Sequence, residues 1–133
     1  MPFIRISVAG SAPSHDQVAQ LQMKTTQLMA SILGKRPEVT VVAIESAAAS
    51  HWSVGGKRLP EGQTLAQMEA FITAGTNSEQ EKSDFISAAH QMIASVFNQP
   101  MSPLYVLILE VDGADWGYDG KTQYARKCEA QLL

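Results

Sequence analysis

The chain has 133 residues, of which 45% are hydrophobic and 17% are charged, the composition of one globular domain, 1–133. Its formal net charge of −3 and its scattered basic residues exclude the basic stripe that nucleic-acid binding requires. No apolar run is as long as a membrane span, and the start has no apolar region of a signal peptide. The single cysteine, Cys128, fits a reducing compartment. We therefore expect a cytoplasmic protein without a membrane partner.

The first element is a strand that directly follows Pro2. The segment FIRISV alternates apolar Ile4, Ile6 and Val8 with polar residues, which is the period of a half-buried strand. Proline has no backbone N–H and weakens a ladder that includes it. Pro2 is therefore either a tolerated edge residue or a residue kept for the secondary amine that removal of Met1 would expose.

Two capping boxes, SHDQ from Ser14 and SEQE from Ser78, predict the starts of two helices. One apolar stripe at helical spacing follows each box, and Gly34 and Asn98 are the predicted ends. The nearly continuous apolar runs EVTVVAIE and LYVLILE come next and indicate strands that are covered on both faces.

The second half of the chain repeats the first. A shift of 64 residues aligns the two capping serines and lays Trp52 on Trp116. We predict an α+β domain of two tandem β-α-β units, each ending in a hairpin, over about residues 2–57 and 66–121, with GGKRLPEGQ as the linker. Crossover geometry gives a four-stranded mixed sheet with two helices on one face. The second strands are apolar on both faces, so the uncovered face predicts oligomerisation.

Three segments carry a family resemblance: MPFIRI at the start, SHWSVGGK after the second strand and ADWGYDGKT after the fourth. In this order and duplicated, they resemble the tautomerase superfamily, and the resemblance covers essentially the whole chain. ILGKRPEVTVVAIE is similar to the helix exit of macrophage migration inhibitory factor. The length resembles that branch and the carboxymethyl-hydroxymuconate isomerases, which are homotrimers, whereas the hairpins resemble 4-oxalocrotonate tautomerase. The branch stays open.

The resemblance implies a cofactor-independent tautomerase or isomerase that interconverts the keto and enol forms of a small carboxylated substrate. In this family the N-terminal proline amine is the general base, so the resemblance gives that role to Pro2. An N-terminal amine titrates at roughly 7.7–8.0, and an apolar pocket would disfavour its charged form. The second repeat has Ala66 at the equivalent position, so each chain would hold one base.

The resemblance also implies substrate-binding residues, each with a structural alternative. Lys35 would bind the substrate's carboxylate or carbonyl oxygen, with Arg36 as the neighbour that could serve instead; the alternative is a cation at a helix C-terminus. Tyr105 would enter the pocket from the adjacent subunit of a homotrimer, or be an apolar strand residue with its hydroxyl at the sheet edge. Trp52 and Trp116 would line the pocket or pack subunit interfaces.

The chain departs from the family pattern at its arginines. The arginines of oxalocrotonate-type enzymes are replaced by Ser11 and Thr40 in the first half, which disfavours a dicarboxylate substrate. The arginine pair of haloacrylate dehalogenases is also missing. The alternative functions are a non-catalytic trimeric binding or interaction module of the same fold, or a related hydratase or dehalogenase.

The histidines lack metal-ligand spacing, so we expect no metal. The tail YARKCEAQLL predicts a short amphipathic helix on the oligomer surface.

Overall fold

The computed structural model describes residues 2–132; Met1 and Leu133 lie outside the described residues. Both halves follow the same order of elements. The first half contains β1 (Phe3–Ala9), α1 (His15–Leu33), a 3-10 turn (Pro37–Val39), β2 (Val41–Ala47), a second 3-10 turn (Ala49–His51) and the hairpin of β3 (Ser53–Val54) and β4 (Lys57–Arg58). The second half contains β5 (Leu65–Thr73), α2 (Glu79–Phe97), β6 (Tyr105–Val111), the hairpin of β7 (Gly117–Tyr118) and β8 (Lys121–Thr122), and α3 (Gln123–Leu132).

Both predicted helices begin and end where the sequence indicates. The hydroxyl of Ser14 accepts from the backbone N–H of Gln17, and the Gln17 side chain accepts from the Ser14 N–H, so the capping box is complete. Ser78 closes the same box at α2. The helices end at Gly34, with φ 70°, and Asn98, with φ 52°, and both residues adopt the left-handed conformation that caps a helix.

The four long strands form one mixed sheet in the order β2-β1-β5-β6. The outer pairs, β1 with β2 and β5 with β6, are parallel, and the central pair is antiparallel. Helices α1 and α2 pack together against one face of the sheet. The core between them consists of fully buried side chains from both repeats, including Ile4, Ile6, Leu21, Met29, Met68, Ile72, Phe85 and Ile93. The prediction of an α+β fold with a four-stranded mixed sheet is confirmed.

The other face of the sheet carries apolar side chains that none of the helices in residues 2–132 covers. Val41 is 51% exposed, Tyr105 66% and Leu107 38%. Phe3 and Phe71 pack their rings with centroids 6.5 Å apart, and Arg5 pairs with Glu45 across the strands. This face therefore combines exposed apolar side chains with a polar cluster of Arg5, Glu45 and Glu69, and its apolar part fits the contact surface that the strand pattern predicts.

The segment between the repeats is only partly a linker. Lys57 and Arg58 were expected in the linker GGKRLPEGQ, but they form β4 and pair with Val54 and Ser53. The two glycines before them, Gly55 and Gly56, have φ values of 61° and 79° and make the turn, so this part of the segment is a hairpin rather than a flexible joint. Within residues 2–132, no helix has both the length and the apolar character needed to cross a membrane.

The C-terminal segment forms the predicted short helix, α3, directly after the second hairpin. Its first turn is tied to that hairpin and to the loop before it. Gln123 donates its backbone N–H to the carbonyl of Trp116, and Tyr124 donates to the carbonyl of Gly113, both at 2.9 Å. The hairpin and α3 therefore form one unit across the end of the sheet.

Candidate active site

Pro2 lies at the entrance to β1 and is buried. Its carbonyl oxygen accepts a hydrogen bond from the backbone N–H of Val41 at 3.3 Å, which joins Pro2 to the start of β2. A proline nitrogen has no hydrogen to donate, so this strand pairing makes no use of it.

Pro2 lines a cavity of about 390 Å³, which we call the proline cavity. Its walls come from the starts of β1 and β2 and from the second hairpin. The lining residues are Pro2, Phe3, Val39, Val41, Trp116, Gly117, Tyr118, Asp119 and Gln123. The walls are mostly apolar, with a few polar groups on the hairpin side, which is the usual character of a small-molecule site.

The hairpin wall is held in place by one side-chain hydrogen bond and one close backbone approach. The indole nitrogen of Trp116 donates to the hydroxyl of Thr73 at the end of β5, at 3.1 Å. A Cβ at Gly117 would lie 1.9 Å from the carbonyl oxygen of Lys121 on the opposite strand, so the two strands approach this closely only because residue 117 is glycine. Trp116 and Tyr118 flank this glycine and are thereby fixed at the cavity.

A second cavity of about 310 Å³ repeats this arrangement at the opposite end of β1, and we call it the alanine cavity. It is lined by Trp52, Ser53, Val54, Gly55, Leu65, Ala66, Gln67, Pro103 and Tyr105. The shift of 64 residues that relates the two halves of the sequence also relates the linings, because it lays Pro2 on Ala66, Val41 on Tyr105 and Trp116 on Trp52. Ala66 lies inside the chain, in β5, so its nitrogen is a peptide nitrogen and cannot act as a base.

A third cavity, of about 290 Å³, adjoins the proline cavity and carries basic side chains; we call it the cationic cavity. It is lined by Arg36, Thr73, Thr76, Tyr118, Gln123, Arg126 and Lys127. Tyr118 and Gln123 line both this cavity and the proline cavity. A small molecule that contacts Tyr118 can therefore reach apolar surface on one side and positive charge on the other.

Lys35 lies behind the wall of the cationic cavity. Only 9% of the residue is exposed, and its ammonium group donates to the hydroxyl of Thr76 at 2.9 Å. Thr76 in turn donates to the carbonyl of Thr73. Burial lowers the pKa of Lys35, while the carboxylates of Glu81 and Glu110 oppose that change. Lys35 thus supports a residue of the cavity wall, and its neighbour Arg36 is itself on the wall.

Arg126 of α3 is the cationic-cavity residue that sequence reasoning missed. The central carbon of its guanidinium group lies 3.8 Å from the centroid of the Tyr118 ring, and its Nη2 donates to the Tyr118 carbonyl at 2.9 Å. Its Nε is buried and has no hydrogen-bond partner in the part of the chain that the structure describes. The only signal in the sequence is spacing: Gln123, Arg126 and Lys127 are three and four residues apart and so share one face of a helix.

The structure brings some of the predicted site residues together and separates others. Pro2 and Trp116 line the same cavity, and Arg36 lines the cavity next to it. Trp52 and Tyr105 lie together in the alanine cavity, at the other end of the sheet. Within one chain, the base predicted at Pro2 therefore has Trp116, and not Trp52, as its aromatic neighbour.

Comparison with protein families gives a match that begins at Pro2. The model of the family described as tautomerase enzyme matches residues 2–61. Probable tautomerase K2 of Dickeya dadantii (strain 3937) is 36% identical over 66 residues, which are 50% of this chain and 98% of the relative.

Solved structures match nearly the whole chain. The crystal structure of Pt0534 inactivated by 2-oxo-3-pentynoate superimposes with a TM-score of 0.83 at 17% identity and covers 93% of this chain and 98% of its own. The asymmetric trimer of a wild-type fused 4-OT gives a TM-score of 0.80 at 23% identity, with 92% and 98% coverage. At these identities the structures show a shared fold.

Proposed function

The chain belongs to the tautomerase superfamily, and from that premise we propose that it is a cofactor-independent tautomerase or isomerase. It interconverts the keto and enol forms of a small carboxylated substrate. The general base is the amine of Pro2, which becomes a free secondary amine when Met1 is removed. Met1 lies outside the described residues, so its removal is part of the proposal.

The observation that carries the proposal is the position of Pro2 in the duplicated fold. Pro2 is buried at a mostly apolar cavity, where an uncharged amine is favoured over an ammonium ion. The equivalent cavity is built on the same plan with Ala66, so the fold does not require proline at this position. The strand pairing of Pro2 uses its carbonyl and leaves the nitrogen for chemistry.

The proton transfer needs few groups. In the keto-to-enol direction, the neutral amine of Pro2 takes the proton from the carbon next to the substrate carbonyl, and the enolate oxygen takes a proton from water to form the enol. The Pro2 ammonium then releases its proton to the hydroxide that remains, which restores the neutral amine. The reverse direction returns the proton from the ammonium to the carbon. The side-chain amide of Gln123, which lines the proline cavity, is a neutral donor available to the enolate oxygen.

Ketonisation of phenylenolpyruvate, followed by loss of the enol absorbance, tests the activity. Pro2→Ala should lower kcat/KM at least about tenfold, because alanine leaves a differently placed primary amine, and general-base catalysis contributes roughly 10²–10⁴-fold. Trp116→Phe and Trp52→Phe are a matched pair: only the first changes the proline cavity of its own chain. An unchanged rate in Pro2→Ala, with Met1 removed from both proteins by intact-mass measurement, would rule out the base.

Labelling gives an independent test of the amine. 2-Oxo-3-pentynoate is a conjugated alkynone to which an uncharged amine adds, forming a nitrogen–carbon bond while the amine proton moves to the neighbouring carbon. We expect one molecule of reagent per chain, mapped to Pro2, at a rate that rises with pH as the amine loses its proton. Labelling at lysines alone would contradict the proposal and favour a non-catalytic module.

We further propose that the functional unit is a homotrimer in the cytoplasm, with Tyr105 of one subunit completing the site of the next. Three observations support this: apolar side chains are exposed on the uncovered sheet face, Tyr105 is 66% exposed on the edge strand β6, and a fused 4-OT of the same fold is a trimer. A closed ring of identical subunits joins one edge of the sheet to a different edge of its neighbour, which would bring β6 to the β2 edge beside Pro2.

Mixed trimers test this arrangement. Pro2→Ala and Tyr105→Phe should each be impaired, and subunits denatured and refolded together should show more activity than either parent, because some sites then combine an intact Pro2 with an intact Tyr105. Sedimentation should give the mass of three chains. If mixing restores no activity, the two residues act within one chain or Tyr105 is not part of the site.

A further inference from the structure

We propose that the cationic cavity is the subsite that binds the substrate's carboxylate, with Arg126 of the C-terminal helix as its principal contact. The inference rests on the proposed function, and it names Arg126 as the side chain that would select carboxylated substrates. It assigns a binding role to the tail of the chain, in which no motif marks a site.

The charge around this cavity is suited to a single anion. Arg36, Arg126 and Lys127 line it, together with the hydroxyl groups of Thr73 and Thr76. Among the described residues, no carboxylate lines the cavity. The nearest pairing on its rim is between Arg36 and Glu38, whose side chains are both more than 60% exposed, so this pair is weak and leaves Arg36 available.

Arg126 has donor capacity that the chain does not use. Its Nη2 is bonded to the Tyr118 carbonyl, and its Nη1 has no hydrogen-bond partner among residues 2–132, whereas its Nε is buried beyond the reach of a ligand. A carboxylate in the cavity would accept hydrogen bonds from the Nη atoms of the guanidinium group, and a hydrogen bond to a charged group is stronger than one between neutral groups. The Tyr118 ring, 3.8 Å away, holds the guanidinium plane in place, so little side-chain entropy would be lost on binding.

The position of this subsite relative to Pro2 defines the substrate class. Tyr118 and Gln123 separate the proline cavity from the cationic cavity and belong to both. A 2-oxo acid or its enol could place its carboxylate against Arg126 and its apolar substituent against Trp116 and Phe3, with the reacting carbon toward Pro2. Of these two cavities, basic residues line only the cationic cavity, and among the described residues none lines the mostly apolar proline cavity, so the two cavities together fit a monocarboxylate with an apolar substituent.

Two unreactive probes, 3-phenylpropanoate and its uncharged amide, test the subsite without catalysis. Calorimetric titration of the wild-type protein should show at least about tenfold tighter binding of the carboxylate, since hydrogen bonds to charged groups are worth roughly 10- to 100-fold in affinity. Arg126→Met should bring the ratio of the two affinities close to one, and Arg126→Lys should retain part of it, because lysine keeps the charge and loses the planar fork. Arg58→Met is the matched control, since Arg58 is exposed on β4 and also carries one positive charge.

The ratio of affinities is informative even if Arg126→Met loosens the hairpin, because loosening would weaken both probes together. A wild-type protein without preference for the carboxylate, or an Arg126→Met protein that keeps the preference, would overturn the inference whatever the rate of ketonisation. A collapse of the ratio in Arg126→Met alone supports it, even if the wild-type protein does not ketonise phenylenolpyruvate; in that case the proposed activity fails and the carboxylate subsite stands.

Discussion

Substitution of Gly117 by alanine should disable the proline cavity while leaving the core of the protein folded. The new Cβ would lie 1.9 Å from the carbonyl oxygen of Lys121 and 2.7 Å from the Cα of Thr122, whereas real Cβ contacts stay beyond about 3.0 Å. Both neighbours are backbone atoms and cannot rotate away. The hairpin must therefore open, and its strands must give up their pairing.

The cost can be worked from the bonds that an open hairpin loses. These are the short ladder between β7 and β8, the bond from the Trp116 indole to Thr73 and the backbone bond from Gln123 to Trp116. With about two bonds in the ladder, four bonds are lost, and at a net 0.5–1.5 kcal/mol per hydrogen bond the free energy of unfolding should fall by about 2–6 kcal/mol. The helix–sheet core contains no residue of this hairpin, so the chain should still fold.

The assay compares Gly117→Ala with Ser53→Ala. Ser53 is the equivalent residue of the first hairpin and already carries a Cβ, so its replacement should change little. In Gly117→Ala, far-UV circular dichroism should be retained, urea unfolding should move to lower concentration, and both kcat/KM for phenylenolpyruvate and affinity for 3-phenylpropanoate should fall at least about tenfold. Wild-type binding and activity in Gly117→Ala would refute the role given to the hairpin as a wall of the site.

Two further predictions concern the polar cluster behind the cationic cavity. Lys35→Met should change KM for a carboxylated substrate less than threefold. The reason is that the Lys35 ammonium donates to the hydroxyl of Thr76 and contacts the cavity only through that hydroxyl. A tenfold rise in KM would instead show that Lys35 binds the substrate directly. The second prediction concerns Glu110, whose carboxyl accepts hydrogen bonds from Lys82 and from the N–H of Gly75, which hold its pKa below the usual range. The ionised Glu110 carboxylate therefore stabilises the folded protein fully above the ordinary glutamate pKa of about 4.3. This stabilisation is lost as the pH falls through the lower pKa of the folded state. Glu110→Gln should therefore be less stable at neutral pH and show a shallower loss of stability below about pH 4 in urea titrations, and an unchanged acid profile would contradict this.

The fold was predictable because its signals are local and occur twice. The serine capping boxes, the glycine and asparagine helix ends and the strand alternation each act within a few residues, and the structure reproduces them in both halves. The linker between the repeats was misjudged at Lys57 and Arg58, because its two glycines fit a flexible joint as well as a tight turn; only their left-handed φ values and the pairing with β3 distinguish the two.

The site was less predictable, since it depends on contacts between distant segments. Pro2 and Trp116 are more than a hundred residues apart in the sequence and line one cavity, while Lys35 and Arg36 are adjacent and differ in role because only Arg36 lies on the wall. The role proposed for Arg126 could not be predicted from the sequence, because it depends on the contact of its guanidinium group with the Tyr118 ring and on its place in the wall of the cationic cavity. Neither is a property of the tail alone.

The two repeats differ in the same two features that the proposed chemistry needs. The alanine cavity has no amine at its equivalent of Pro2, and the cavity that adjoins it at Leu65, unlike the cationic cavity beside Pro2, has no basic residue among its described lining residues. The cause of the second difference is topological: the second hairpin runs directly into α3, which supplies Arg126, whereas the first runs from β4 into the short connection to β5. If the base and the carboxylate subsite serve one reaction, they must lie beside the same cavity. Their joint presence at Pro2 and joint absence at Ala66 are what a single active site per chain requires.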